Sequence, residues 1–168
     1  VQYTCKDSAE LQDFTPNADY LKHLQFDGDG GGPPKIESTG NAFAINGRGV
    51  LRLPFVAAAP LRVEYRMAWP ETAHCRLVLC DDGRNSQILV TLRGSVYVYD
   101  AATEDREHTS AFQTYVGTEY TVAVKHDGKV LSTTVDGTEA VLSAPVGNLR
   151  RGGVLFHTFG AEPCHLSG

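Results

Sequence analysis

The segment Leu61-Arg62-Val63-Glu64-Tyr65-Arg66-Met67 alternates apolar and charged residues. A strand here carries Arg62, Glu64 and Arg66 along one face, about 7 Å apart. Such a row can hydrogen-bond hydroxyl groups or pair with a carboxylate. It reads equally as a solvated face of cross-strand ion pairs, each worth less than ~1 kcal/mol. Tyr97 and Tyr99 alternate with Val96 and Val98, so both rings share the face opposite the valines. Two such rings form a stacking platform for the apolar C–H faces of pyranose sugars. Cross-strand tyrosine packing is the plainer alternative.

Other candidates are weaker in pattern. Asp27-Gly28-Asp29-Gly30 has the Asp-x-Asp-Gly character of a calcium loop, with hard oxygen donors at Asp27 and Asp29. It lacks the third ligand and terminal glutamate of an EF-hand, so that site is excluded and a solvated turn competes with a Ca2+ site; no other cofactor is implied. The six histidines, His23, His74, His108, His126, His157 and His165, form no i, i+4 or His-x-His pair. His157 falls in a late strand, opposite in facing to Phe156, and a general base there needs a carboxylate nearby. Glu64 is the partner an acid–base enzyme would have to use. No Gly-x-Ser-x-Gly elbow and no phosphate loop occurs.

The elements that must position these side chains are strands. From Val50 onward short β patterns are separated by Gly- and Asp-rich turns, the spacing of a sandwich or barrel. Asp127-Gly128 and Asp136-Gly137 are strong hairpin signals because both residue types accept positive φ. Thr15 followed by Pro16 predicts one short helix toward Leu24. The 168 residues, 42% hydrophobic and 21% charged, suit a single globular domain spanning 1–168. A net charge of -5 argues against a nucleic-acid surface, which needs clustered Lys and Arg. No run approaches the roughly 20 apolar residues of a membrane span. The chain opens at Val1 without a methionine, which points to a processed or trimmed chain and makes a missing leader uninformative about compartment.

Gly117 to Val130, continuing through Thr134-Val135-Asp136-Gly137 and the Gly-rich strand Gly152 to Phe159, resembles the late hairpin of laminin-G-like and other concanavalin A-like domains. The resemblance covers roughly Val50 to the C-terminus and implies an all-β antiparallel sandwich of the jelly-roll type. Leu61 to Arg66 with Gln87-Ile88-Leu89 is similar to 3-keto-disaccharide hydrolase-type domains. Arg62-x-Glu64-x-Arg66 is similar to the "R-x-E-x-R" strand of alginate lyases, but Leu89 stands where those enzymes carry a histidine. The glucanase "E-x-D-x-x-E" strand and the galectin "H-x-N-P-R" signature are missing from the chain.

These resemblances imply a non-catalytic carbohydrate-binding, lectin-like module, extracellular or periplasmic. A glycan or polysaccharide would be its partner, held by Arg62, Glu64, Arg66, Gln87, Tyr97, Tyr99 and His157. A carbohydrate-active hydrolase or lyase and a protein-interaction sandwich are the alternatives. In a jelly roll the terminal strands commonly run side by side, so a Cys5–Cys164 disulfide is expected to compete with four reduced thiols; the bridge would contribute up to ~4 kcal/mol.

Overall fold

The computed structural model describes residues 2–5, 11–13, 25–27, 35–39, 42–46, 49–68, 73–83, 86–91, 95–100, 103–109, 114–160 and 164–167. Two antiparallel sheets account for its regular structure. The nine-stranded sheet runs β14 (Thr138–Pro145), β13 (Val130–Val135), β12 (Tyr120–His126), β7 (Leu61–Ala68), β16 (Cys164–Ser167), β5 (Ala42–Asn46) and β4 (Lys35–Thr39). Its remaining strands are β1 (Gln2–Cys5), which also pairs with β7, and β2 (Leu11–Asp13), which pairs with β1. The seven-stranded sheet runs β11 (Thr103–Thr109), β10 (Ser95–Asp100), β9 (Gln87–Thr91), β8 (Ala73–Asp81), β15 (Arg151–Gly160), β6 (Gly49–Ala58) and β3 (Gln25–Asp27). The late strand β15 inserts between β6 and β8, and the last strand, β16, inserts between β7 and β5 of the other sheet, so the final two strands complete one sheet each. The all-β sandwich expected from the turn spacing is the observed architecture.

Local chemistry sets the hairpins. Asp136 and Gly137 both adopt positive φ, 48° and 77°, which gives the two-residue turn whose twist matches its flanking strands. The Asp136 carboxylate also accepts a bond from the Thr121 N–H at 2.8 Å. At the other Asp-Gly only Gly128 is left-handed, at 102°. There one Asp127 carboxylate oxygen accepts from the N–H groups of Lys129 and Val130 at 2.7 and 2.9 Å. The same dipeptide therefore makes a tight turn in one hairpin and a looser, carboxylate-capped loop in the other.

Between the sheets lies one large core. Leu61, Val63, Tyr65 and Met67 from β7 meet Leu77, Ile88, Val96 and Phe156 from the facing sheet. At its centre Tyr65 and Phe156 pack edge to face, with centroids 5.3 Å apart and planes at 75°, the arrangement that aromatic quadrupoles favour. His126 is buried at 1% exposure. Its Nε2 sits 2.6 Å from the Leu149 carbonyl and its Nδ1 accepts from the Gly128 N–H at 3.0 Å. Nε2 therefore carries the proton, and the ring ties β12 to two loops. Cys80 is buried as well, and burial pushes its thiol up to about 12, which leaves it unreactive at neutral pH.

One expectation lies outside the described residues and another changes. Among the described residues there is no helix, and the one expected from Thr15 to Leu24 lies outside them. The Cys5–Cys164 bridge is contradicted by register. β1 and β16 do run along the same edge of β7, but at opposite ends: Cys5 pairs with Leu61, whereas His165, next to Cys164, pairs with Ala68. Those ends lie about 25 Å apart at strand rise, and a disulfide needs Cα atoms within about 7 Å.

Candidate functional site

The sandwich has two outward surfaces, and the predicted site residues divide between them. On β7 the burial alternates strictly, with Arg62 and Arg66 exposed and Glu64 half-buried. All three point out of the nine-stranded sheet. Tyr97 and Tyr99 point out of the other sheet, because Val96 and Val98 fill the core beside them. Gln87 and His157 share that second face by the same alternation. Glu64 and His157 thus stand on opposite sides of the whole molecule. The acid–base pairing considered for them is untenable, since proton transfer needs hydrogen-bond reach.

The outer face of the seven-stranded sheet is layered. The register aligns Glu107, Tyr97, Leu89, Val78, Leu155 and Arg52 in one row from β11 to β6. Val78, Leu89 and Leu155 are 1%, 6% and 6% exposed, and Val50, Tyr97 and Tyr99 pack against them. An outward strand position is ordinarily wet, so this second cluster is an aliphatic floor covered by larger neighbours. The two tyrosine rings lie within 16° of parallel, with centroids 6.3 Å apart, and continue the apolar surface to the rim.

Polar groups frame that floor. The Tyr97 hydroxyl donates to the Glu107 carboxylate, its direct cross-strand neighbour. This bond, with desolvation and the negative charge of Glu107 next, holds the phenol above its ordinary pKa, while the Arg76 guanidinium pulls it down. The row of Arg76 contains Thr91 on one side and His157 on the other. Tyr99 and Gln87 pair directly in the adjacent row.

That last row runs toward a double bulge. Between the pairs Gly153↔Asp81 and Leu155↔Val78, β8 places Leu79 and Cys80 against the single residue Val154. β6 inserts Leu53, Pro54 and Phe55 over the same interval. Cys80 takes up the mismatch at φ 57°. Bulges bend a strand and re-aim its side chains. Here they open a cleft of about 410 Å³ lined by Arg52, Val56, Asp81, Gly83 and Gly153 among others. Arg52 Nη1 donates to Asp81 Oδ2 at 2.9 Å across it.

The opposite face differs in kind. Arg62 pairs with Glu64 on its own strand, and Lys125 stands directly across from Arg62. Thr121 and Ala123 face Arg66 and Glu64. Among its described side chains no aromatic ring projects outward. Asp27 ends β3 opposite Val50, and Asp29 lies outside the described residues. Among the described residues no group of three His, Cys, Asp or Glu is placed to hold a metal ion.

Solved structures share this architecture. A protein of Bacillus subtilis with a galectin-like fold superposes at a TM-score of 0.66 with 10% identity, over 90% of this chain and 89% of its own. The β-glucanase of Bacillus licheniformis gives 0.64 and 13%, over 90% and 92%. The carbohydrate-binding module CBM66 of Bacillus subtilis gives 0.62 and 10%, over 80% and 89%. No family model and no curated protein sequence matches the chain. The fold is a concanavalin A-like jelly roll.

Within this jelly roll, Gln87, Tyr97, Tyr99 and His157 fall on one face, and Arg62, Glu64 and Arg66 on the other. Arg76 and Glu107 join the first group without having been singled out from sequence. Arg76 is the only charged residue between Cys75 and Cys80, at the same parity as Val78, and that lone charge was the available signal. Glu107 sits in the charged stretch Thr103 to Thr109, whose composition hides a strand.

Proposed function

We propose that the outer face of the seven-stranded sheet binds glycan, and that the chain is a non-catalytic, lectin-like module working outside the cytoplasm. The observation that carries this reading is the stacked Tyr97–Tyr99 pair, with ring planes within 16° of parallel and centroids 6.3 Å apart, set at the rim of an apolar floor. Sugar rings present apolar faces to such a surface and hydroxyls to its polar rim. Gln87, paired with Tyr99, offers both a donor and an acceptor. The fold is shared with a carbohydrate-binding module and a β-glucanase, which supports a saccharide ligand by analogy of architecture. Arg62, Glu64 and Arg66 are, on this reading, a solvated surface on which Arg62 and Glu64 pair with each other.

Affinity electrophoresis against a panel of soluble polysaccharides tests it. A bound polymer retards the wild-type protein, and Tyr97→Ala and Tyr99→Ala each weaken binding by about 2- to 12-fold, the worth of one stacked ring. Arg62→Ala leaves it unchanged. Retardation that survives both tyrosine substitutions but vanishes in Arg62→Ala moves the site to the other face and overturns the proposal. So does the absence of retardation by every polymer class.

A further inference from the structure

The cleft at the double bulge is built from different parts than the tyrosine platform. Its floor is Gly153, which stands in register between Asp81 on β8 and Val56 on β6. A Cβ there would come within 3.2 Å of Arg52 Nη1 and 3.9 Å of the Asp81 Cβ, so a side chain at this position would occupy the space that the glycine leaves. Glycine inside a strand often marks a place where a ligand or another backbone comes close. The cleft volume of about 410 Å³ lies at the small end for ligand pockets, which run from about 300 to 1,000 Å³. One wall is polar. The Asp81 side chain is 10% exposed, its Oδ2 accepts from Arg52 and its Oδ1 accepts from the Gly83 N–H at 3.3 Å. A carboxylate held in this way keeps acceptor capacity for further donors, since its two oxygens offer about four lone-pair sites. The other wall is apolar: Val56 is 56% exposed, a large aliphatic side chain open to solvent. Arg52, Asp81 and Asp82 bring one positive and two negative charges to the lining, a balance that does not favour an anion.

We propose that this cleft is a subsite for one neutral sugar residue, whose hydroxyls donate to the Asp81 carboxylate while its C–H face lies on Val56 and its ring passes over Gly153. Hydrogen bonds to an ionised acceptor are the stronger kind, and the low exposure of Asp81 limits competition from water. Arg52 keeps its bond to Asp81 throughout and acts as a positioning residue. Asp81 on β8 and Tyr99 on β10 are separated by β9 alone, two strand spacings or about 10 Å, so one short glycan can touch both. The inference rests on the glycan reading for the class of ligand and adds a subsite of different chemistry.

Amide NMR spectra of the whole chain test it, with glucose, galactose, mannose, xylose and arabinose as probes at millimolar concentration and glucuronate and galacturonate as charged controls. At least one neutral sugar is expected to shift the Gly83 and Gly153 amide signals saturably, and the matching uronate to do so several-fold more weakly. Asp81→Asn keeps the size of the side chain and should weaken that binding by about tenfold, the worth of a hydrogen bond to a charged group. Gly153→Ala fills the floor while leaving Asp81 in place, and should weaken it as well. Val56→Ser, at an exposed position, lowers it by a smaller factor. The same spectra report whether each variant is folded, and Gly153→Ala decides the matter if Asp81→Asn is not. Shifts confined to residues 97–99, or cleft shifts undiminished in Gly153→Ala, overturn the inference and leave the glycan reading in place. A uronate bound as well as its neutral counterpart overturns the assignment of a neutral ligand. If no sugar moves any amide of the cleft, the inference falls, and polysaccharide retardation judges the glycan reading separately.

Discussion

Gly152 is the position where the double bulge is most sensitive to a single methyl group. A Cβ built there would lie 2.3 Å from the carbonyl carbon of Cys80 and 2.7 Å from both the nitrogen and the oxygen of Asp81. Ordinary contact begins near 3.4 Å, so Gly152→Ala is short of room by about 1 Å. All three obstructing atoms are backbone, held by the pairing of β15 with β8. No side chain can swing aside, and relief requires the strands themselves to part. Gly152 is not among the glycines with positive φ, so the penalty is steric and not conformational. Overpacking of a rigid site costs about 1–3 kcal/mol and sometimes more, and backbone obstruction puts this substitution at the upper end. For a chain of this length, about 3 kcal/mol lowers the melting temperature by roughly 6–12 °C. Gly153→Ala supplies the internal control. Its Cβ would meet the Arg52 guanidinium at 3.2 Å, a flexible tip that can shift, and its melt should move by less than half as much. Differential scanning calorimetry of the three proteins decides the matter. A Gly152→Ala melt within about 1 °C of wild type would refute the close approach of β15 to the Cys80–Asp81 backbone.

Two further substitutions probe the other sheet. His126→Ala strands the Leu149 carbonyl and the Gly128 N–H beside a buried site and should cost about 2–4 kcal/mol in urea unfolding; a loss under 0.5 kcal/mol would mean that the ring does not hold those loops. The Asp127 carboxylate is held below the usual aspartate range, first by the Val130 N–H and then by that of Lys129. A depressed folded value means its contribution is complete above the unfolded pKa and is lost as pH falls through the folded one. The stability gap between wild type and Asp127→Ala should therefore be present at neutral pH and close in acid. Urea midpoints measured over a pH series check this, and a gap of constant size contradicts it.

Much of the sandwich is legible in residues 50 to 160 because one physical period writes it. The alternation in Leu61 to Met67 and the valine–tyrosine alternation in Val96 to Tyr99 both appear as inside–outside patterns in the folded chain. A period of two distinguishes core from exterior, but it cannot say which exterior. Arg62 and Tyr97 look alike as outward positions, and only the long-range pairing of β7 with β12 in one sheet and of β8 with β15 in the other places them on opposite surfaces. The same limit explains the cysteines: that β1 and β16 flank one strand is a matter of topology, whereas their offset along it is a matter of register. The Gly-rich strand expected over Gly152 to Phe159 is β15, which begins at Arg151. Gly152 sits inside the strand because the Cys80–Asp81 backbone comes too close for a side chain.

The difference between the two outer surfaces follows from where apolar atoms are hidden. On β7 the outward positions are charged or exposed, and their cross-strand neighbours on β12 are Thr121, Ala123 and Lys125. On the seven-stranded sheet the outward positions of the central strands are Val78, Leu89 and Leu155, nearly as buried as the core. Since that floor is already covered, an approaching ligand gains little by touching it. On the proposed reading, binding energy comes instead from the tyrosine rings and the amide of Gln87 that stand around it. Those groups can be removed without opening the main core, which lies on the other side of the sheet and is closed by Tyr65 and Phe156. Replacing Tyr97 or Tyr99 uncovers part of the Val78–Leu89–Leu155 cluster but leaves that main core closed, so a thermal melt run beside the binding assay separates loss of recognition from loss of fold.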